Sequence, residues 1–126
     1  MPRVRTPLPD ALGTAFTAAE ARIAGLSARR LAAPDVARVT RGVYRRLGVA
    51  SPDEADEHRA ARWRRQQIAN ARAISRTLSP GQFFSHATAA VILGLPVPHR
   101  SDDDVDIACC SDRWVSRAPG VRAIPT

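Results

Sequence analysis

The sequence predicts an α+β chain, with helices and short strands in separate runs rather than in repeating β-α-β units. Three observations carry this. Two helix-start signatures, Thr17-x-x-Glu20 and Ser51-Pro52-Asp53-Glu54, precede apolar residues at helical spacing. A basic, valine-rich stretch from Val36 to Leu47 breaks at Gly42, like two short strands and a turn. Val105–Cys110 and Gly120–Ile124 read as the two strands of a C-terminal β-hairpin.

Residues 1–15 are proline-rich and form an irregular arm. Arg3 and Arg5 lie within reach of a minor groove or a phosphate; a solvated terminus is the plainer reading. At Thr17 the hydroxyl and the Glu20 carboxylate each satisfy a backbone N–H left open at a helix start, and Phe16 staples the first turn. That helix runs to Gly25, where the tight turn needs positive φ. Ser27 caps a second helix over Ala28–Ala33. Arg29 and Arg30 sit in its first turn, where a recognition helix meets base edges and phosphates.

The hairpin follows. Val36, Val39, Val43 and Leu47 alternate with Arg38, Arg41, Arg45 and Arg46, and such a ribbon lays guanidinium groups along a phosphate backbone. Residues 16–48 therefore read as a winged helix-turn-helix with Arg29, Arg30, Arg38, Arg41 and Arg45 as its DNA-contacting set. The same pattern fits two packed helices beside a solvated basic hairpin.

Residues 51–126 read as a helical and β region, an incomplete second domain. A long Arg-rich helix starts at Ser51 and runs towards Leu78, where Ser79-Pro80-Gly81 stops it. Ala61, Ile68, Ala71, Ile74 and Leu78 form its apolar stripe. Arg59, Arg62, Arg64, Arg65, Arg72 and Arg76 cover much of the rest. They read as a solvated face, with a second phosphate-facing surface as the alternative. Phe83 and Phe84 form a short buried strand. Ser85 caps a short helix from His86 to Leu93, closed by Gly94 and Pro96. His86 reads as a local hydrogen-bonding residue. His58 and His99 have no partner at ligand spacing, so no metal and no cofactor are assigned.

Two motifs carry a family resemblance. The first is the run from Phe16 to Arg45, with Gly25-Leu26-Ser27, Leu31 four residues after the cap, and Arg41-Gly42-Val43-Tyr44-Arg45. It resembles the N-terminal winged-helix domain of AbiEi-type antitoxins of type IV toxin–antitoxin systems. The second, Phe84-Ser85-His86-Ala87-Thr88-Ala89-Ala90 through Leu93-Gly94-Leu95-Pro96 to Pro98, resembles the segment that follows the winged helix in a large group of antitoxin-like bacterial proteins. The resemblance implies a non-enzymatic, DNA-binding antitoxin or transcriptional regulator. Its partners would be double-stranded DNA, often the protein's own promoter, and a cognate toxin protein. The chain departs from the pattern at Pro34, which cuts the second helix short. It also ends at Thr126, before the endonuclease-like region of longer members, so no nuclease activity is expected.

Composition agrees with a polyanion partner. The formal net charge is +7, and all 19 basic residues are arginine. GC-rich coding accounts for the choice of arginine over lysine, but not for the excess over acidic residues. Cys109 and Cys110 are adjacent, so they point to opposite faces of a strand and fit a reducing cytoplasm. No run of about 20 apolar residues spans a membrane, and the N-terminus lacks a secretory apolar segment. A cytoplasmic protein is expected.

One chemical alternative stands beside this. Asp104-x-Asp106 places two carboxylates on one face of a strand, as metal-dependent nucleotidyltransferases do to hold Mg²⁺. The glycine pair that cradles phosphate in that motif is replaced by Ser85-His86, and no third carboxylate follows. A non-catalytic protein-interaction module is the third reading.

Overall fold

The computed structural model describes residues 5–48, 57–110 and 118–125. They form an α+β arrangement of two small three-stranded sheets joined by one long helix. The first sheet contains β1 (Ala15–Thr17), β2 (Val36–Thr40) and β3 (Val43–Arg46) in the order β1-β3-β2. All its pairings are antiparallel, with Phe16 opposite Tyr44 and Ala37 opposite Arg45. The β2–β3 turn falls at Arg41-Gly42, where Gly42 supplies a φ of 75°.

Between β1 and β2 lie two short helices, α1 (Ala18–Ile23) and α2 (Ala28–Leu31). The capping box at α1 is complete. Thr17 Oγ1 accepts the Glu20 N–H at 3.1 Å, and Glu20 Oε1 accepts the Thr17 N–H at 3.1 Å. Ser27 Oγ accepts the Arg30 N–H at 3.1 Å and so starts α2. Both helices are shorter than the sequence predicts. α1 stops at Ile23 rather than at Gly25, and α2 at Leu31 rather than Ala33. Pro34 ends the second helix by withholding an N–H, and the chain turns so that the Val36 N–H donates to the Ala33 carbonyl.

Strand alternation gives the first sheet two buried faces. Phe16, Val36 and Tyr44 face Leu8, Leu12, Ala21, Leu26 and Leu31. Ala15, Val39 and Val43 face Ala71 and Ile74 of the long helix and Val105 and Ile107 of the second sheet. Residues 5–14 are largely irregular, with one 3-10 turn at Asp10–Leu12, and are held down rather than solvated. Leu8 and Leu12 are buried, the Arg46 guanidinium donates to the Pro9 and Gly13 carbonyls, and Arg30 Nε donates to Thr6 O.

The long helix, α3, spans Arg59–Ser75. The capping sequence at Ser51 lies outside the described residues. A single helix running from Ser51 is not what forms, because His58 is extended and caps α3, its Nδ1 accepting the Ala60 N–H at 3.2 Å. The buried face is Trp63, Gln67, Ala71, Ala73 and Ile74. Ala71 and Ile74 belong to the expected stripe, whereas Ala61 is exposed and Ile68 half-buried. The i, i+4, i+8 series from Trp63 through Gln67 to Ala71 sets the face instead.

The second sheet has the order β4-β5-β6, formed by Gln82–Phe84, Val105–Cys109 and Val121–Ala123. α4 (His86–Ile92) connects β4 towards β5. β5 is central and buried along its whole length. The expected C-terminal hairpin is not found: β6 pairs parallel to β5, with Val105 opposite Val121. β5 takes its antiparallel partner from β4, with Phe83 opposite Ala108. Phe83, expected to be buried, is 44% exposed. β4 lies at the sheet edge, and alternation turns one of its faces outward.

Candidate nucleic-acid interface

The five arginines singled out in the sequence divide into two groups. Arg29 on α2, Arg38 on β2 and Arg41 at the hairpin turn are exposed. Among the described residues, none of the three has a carboxylate partner. A guanidinium left in this state keeps its full charge and its five donors for an external acceptor.

Arg30 and Arg45 are committed internally. Arg30 forms a two-pronged pair with Asp35, Nη1 and Nη2 each donating over 2.7 Å to one carboxylate oxygen. This is the bidentate geometry that makes Arg–carboxylate pairs specific. The Arg30 guanidinium holds the Asp35 carboxyl below the usual carboxylate range, against a partial offset from desolvation. Arg30 thus locks α2 to the start of β2. Arg45 sits on the other face of the hairpin, the face turned to α3. Its Nε donates to Asn70 Oδ1 at 2.9 Å, and its Nη2 donates to Gln66 Oε1. Burial lowers the affinity of this guanidinium for its proton, and the like charge of Arg65 adds to that.

The inward position of Arg45 was readable in principle: it is two residues from Val43, so the two side chains share a face. Arg46, which was read only as part of the basic ribbon, clamps the leading segment. No local pattern announces that role, because its acceptors are carbonyls more than thirty residues away.

The Asp104-x-Asp106 pair proves to be divided between different environments. Asp106 is fully buried. Its Oδ2 accepts the Ala87 N–H at 3.1 Å, and Arg100 Nη1 donates to Oδ1 at 3.0 Å and to Oδ2 at 2.8 Å. The Asp106 N–H donates to Thr88 Oγ1 at 2.8 Å, and Thr88 donates in turn to Gln67 Oε1 at 2.8 Å. Gln67 Nε2 and Arg100 Nη2 both donate to the Asp104 carbonyl. This network satisfies a buried ion pair on nearly every side. It joins α3, α4 and β5, and it occupies both oxygens of the carboxylate that a metal would need.

His86 has a φ of 49°, the only positive φ outside glycine among the described residues, and its Nδ1 lies 3.0 Å from Ser85 Oγ. His58 and His99 approach edge to face with ring centroids 6.5 Å apart. Among the described residues no group of three or more His, Cys, Asp or Glu side chains is placed to hold a metal ion. No helix there is long and apolar enough to cross a membrane. No protein-family model matches the chain, nor does any curated protein or solved structure.

Proposed function

We propose that the chain is a non-catalytic, double-stranded-DNA-binding protein of the antitoxin or transcriptional-regulator kind, whose residues 16–48 act as a small winged helix-turn-helix. One observation carries this reading. The helix pair α1–α2 and the β2–β3 hairpin share one apolar core, and that unit projects Arg29, Arg38 and Arg41, which have no acidic partner among the described residues. α2 is only four residues long. It presents Arg29 at its first turn and is too short to lie deep along a groove. Phosphate contact by the exposed arginines, more than base readout, then supplies most of the affinity.

The test is fluorescence anisotropy with a labelled duplex at several salt concentrations. Each phosphate contact contributes about 0.9 to the slope of log K against log salt. The triple variant Arg29→Ala/Arg38→Ala/Arg41→Ala should lose close to three such contributions while keeping its circular dichroism. Binding indistinguishable from the parent by this folded variant would sink the reading. A protein partner, such as a cognate toxin, is the second reading, and the exposure of Ile92 at the end of α4 and of Leu93 and Leu95 just beyond it favours it. That reading predicts no salt-dependent retention of DNA by the parent.

A further inference from the structure

Beside the hairpin lie two cavities of about 280 and 620 Å³. They share Gln66 and Asp103 in their walls and therefore adjoin. The smaller is bounded by β2, by α3 and by the Gly120 turn, with Arg38 and Arg45 among its lining residues. The larger follows α3 to its start and receives Arg59, Arg62, His99 and Arg100. Arg59, Arg62, Gln66 and Asn70 are spaced i, i+3, i+7, i+11, so they form one stripe along the helix. At about 1.5 Å per residue the stripe is roughly 16 Å long. One DNA strand presents a phosphate about every 3.4 Å of axis. The stripe is therefore long enough to span several successive phosphates.

The charges in this groove are not balanced from within. Asp103 and Asp104 are its acidic residues, against five arginines. Arg100 is already neutralised, since its guanidinium pairs with Asp106 and lies 3.6 Å from the Asp102 carboxylate. Arg45 is held by two neutral amides, Asn70 and Gln66, and no carboxylate hydrogen-bonds it among the described residues. Arg59 and Arg38 are exposed, with no ion pair among the described residues, and the exposed Arg62 interacts with Glu57 through its field. A half-buried cation hydrogen-bonded by neutral amides, with Asp103 nearby, and opening on the exposed Arg59 and Arg62, is arranged for a polyanion.

We infer that this groove is a second phosphate-binding surface, which takes the duplex backbone flanking the hairpin and leads it along α3. The inference rests on the DNA-binding reading. It adds Arg59 and Arg62 as contacts outside the winged helix-turn-helix unit, gives Arg45 a place on the inner face of the hairpin, and makes the binding footprint extend past the wing on one side.

The experiment compares duplex binding, by anisotropy across salt concentrations, for three proteins. These are the full parent chain, the groove variant Arg59→Ala/Arg62→Ala, and the charge-matched control Arg72→Ala/Arg122→Ala, whose residues lie off the groove. The groove variant should lose about 1.8 from the salt slope, two contributions of about 0.9, with relative affinities for different sequences unchanged. The control should lose little. Arg59→Gln/Arg62→Gln, which preserves side-chain bulk, should reproduce the groove effect if the alanine pair is poorly folded. An unchanged slope in the groove variant, or an equal loss in the control, overturns the inference while the DNA-binding reading stands. Absence of duplex binding by the parent overturns both. Loss of binding in the groove variant, with binding retained by Arg29→Ala/Arg41→Ala, supports the groove and removes the helix-turn-helix from the contact.

Discussion

At Gly120 the fold leaves no room for one carbon atom. The residue has a φ of 82°, and an added Cβ would stand 1.9 Å from the Val39 carbonyl oxygen and 3.2 Å from its carbon. The obstacle is backbone, so no side-chain rotation relieves it. Gly120→Ala combines a forbidden approach with left-handed strain and should cost about 3 kcal/mol or more. The midpoint of urea unfolding reads this directly, and an unchanged midpoint would refute the close approach of the two segments. Single residues were legible where their partners are local. Thr17, Glu20 and Ser27 act over three residues, and their pattern announced them. The internal partners of Arg30 and Arg45 were not legible, because a guanidinium turned to solvent and one turned inward look alike in sequence. Asp35 is near enough to Arg30 to have warned of the pair, but only the turn after Leu31 brings them together.

Among the elements, the short ones depend on their caps. α1 has six residues, fewer than an isolated helix can sustain, and contributes one fully buried side chain, Ala21. Its start is fixed by the reciprocal Thr17–Glu20 bonds, and Glu20 also pairs with Arg76 of the turn after α3, 2.8 Å away. Thr17→Ala should therefore lower stability by about 1 kcal/mol, read from thermal or urea unfolding. Thr17→Ser, which keeps the oxygen, should restore most of it. Equal stability of the alanine and serine variants would mean that packing alone fixes α1. Element types were readable from these caps and from the valine-rich stretch of β2 and β3 broken at Gly42. The direction of β6 was not. Two strands near each other in sequence suggest a hairpin, yet β5 already has an antiparallel neighbour in β4. The start of α3 was also misplaced, since a helical pattern carries no mark of an extended residue such as His58.

For the molecule as a whole, the decisive feature is a core that ignores the boundary between the two sheets. Val39 and Val43 of the first sheet share one cluster with Ala71 and Ile74 of α3 and with Val105 and Ile107 of the second. Asp106 extends this union in polar form, because its network fixes β5 to α4 through Ala87 and Thr88 and to α3 through Gln67. Asp106→Asn keeps the shape of the side chain but leaves the Arg100 guanidinium, which is 19% exposed, with only the more distant, half-exposed Asp102 carboxylate. Breaking a buried pair from one side costs about 3 kcal/mol. If β5 were an appendage, only amides of the second sheet would exchange faster in the variant. A shared core demands otherwise. Amide exchange measured by NMR should show β1–β3 and β4–β6 opening with the same free energy in the parent, and that free energy should fall by the same amount in both sheets of Asp106→Asn. Protection retained in the first sheet of the variant while the second loses it would show two folding units. The shared groove between hairpin and α3 would then lack the rigidity needed to hold a phosphate backbone in register.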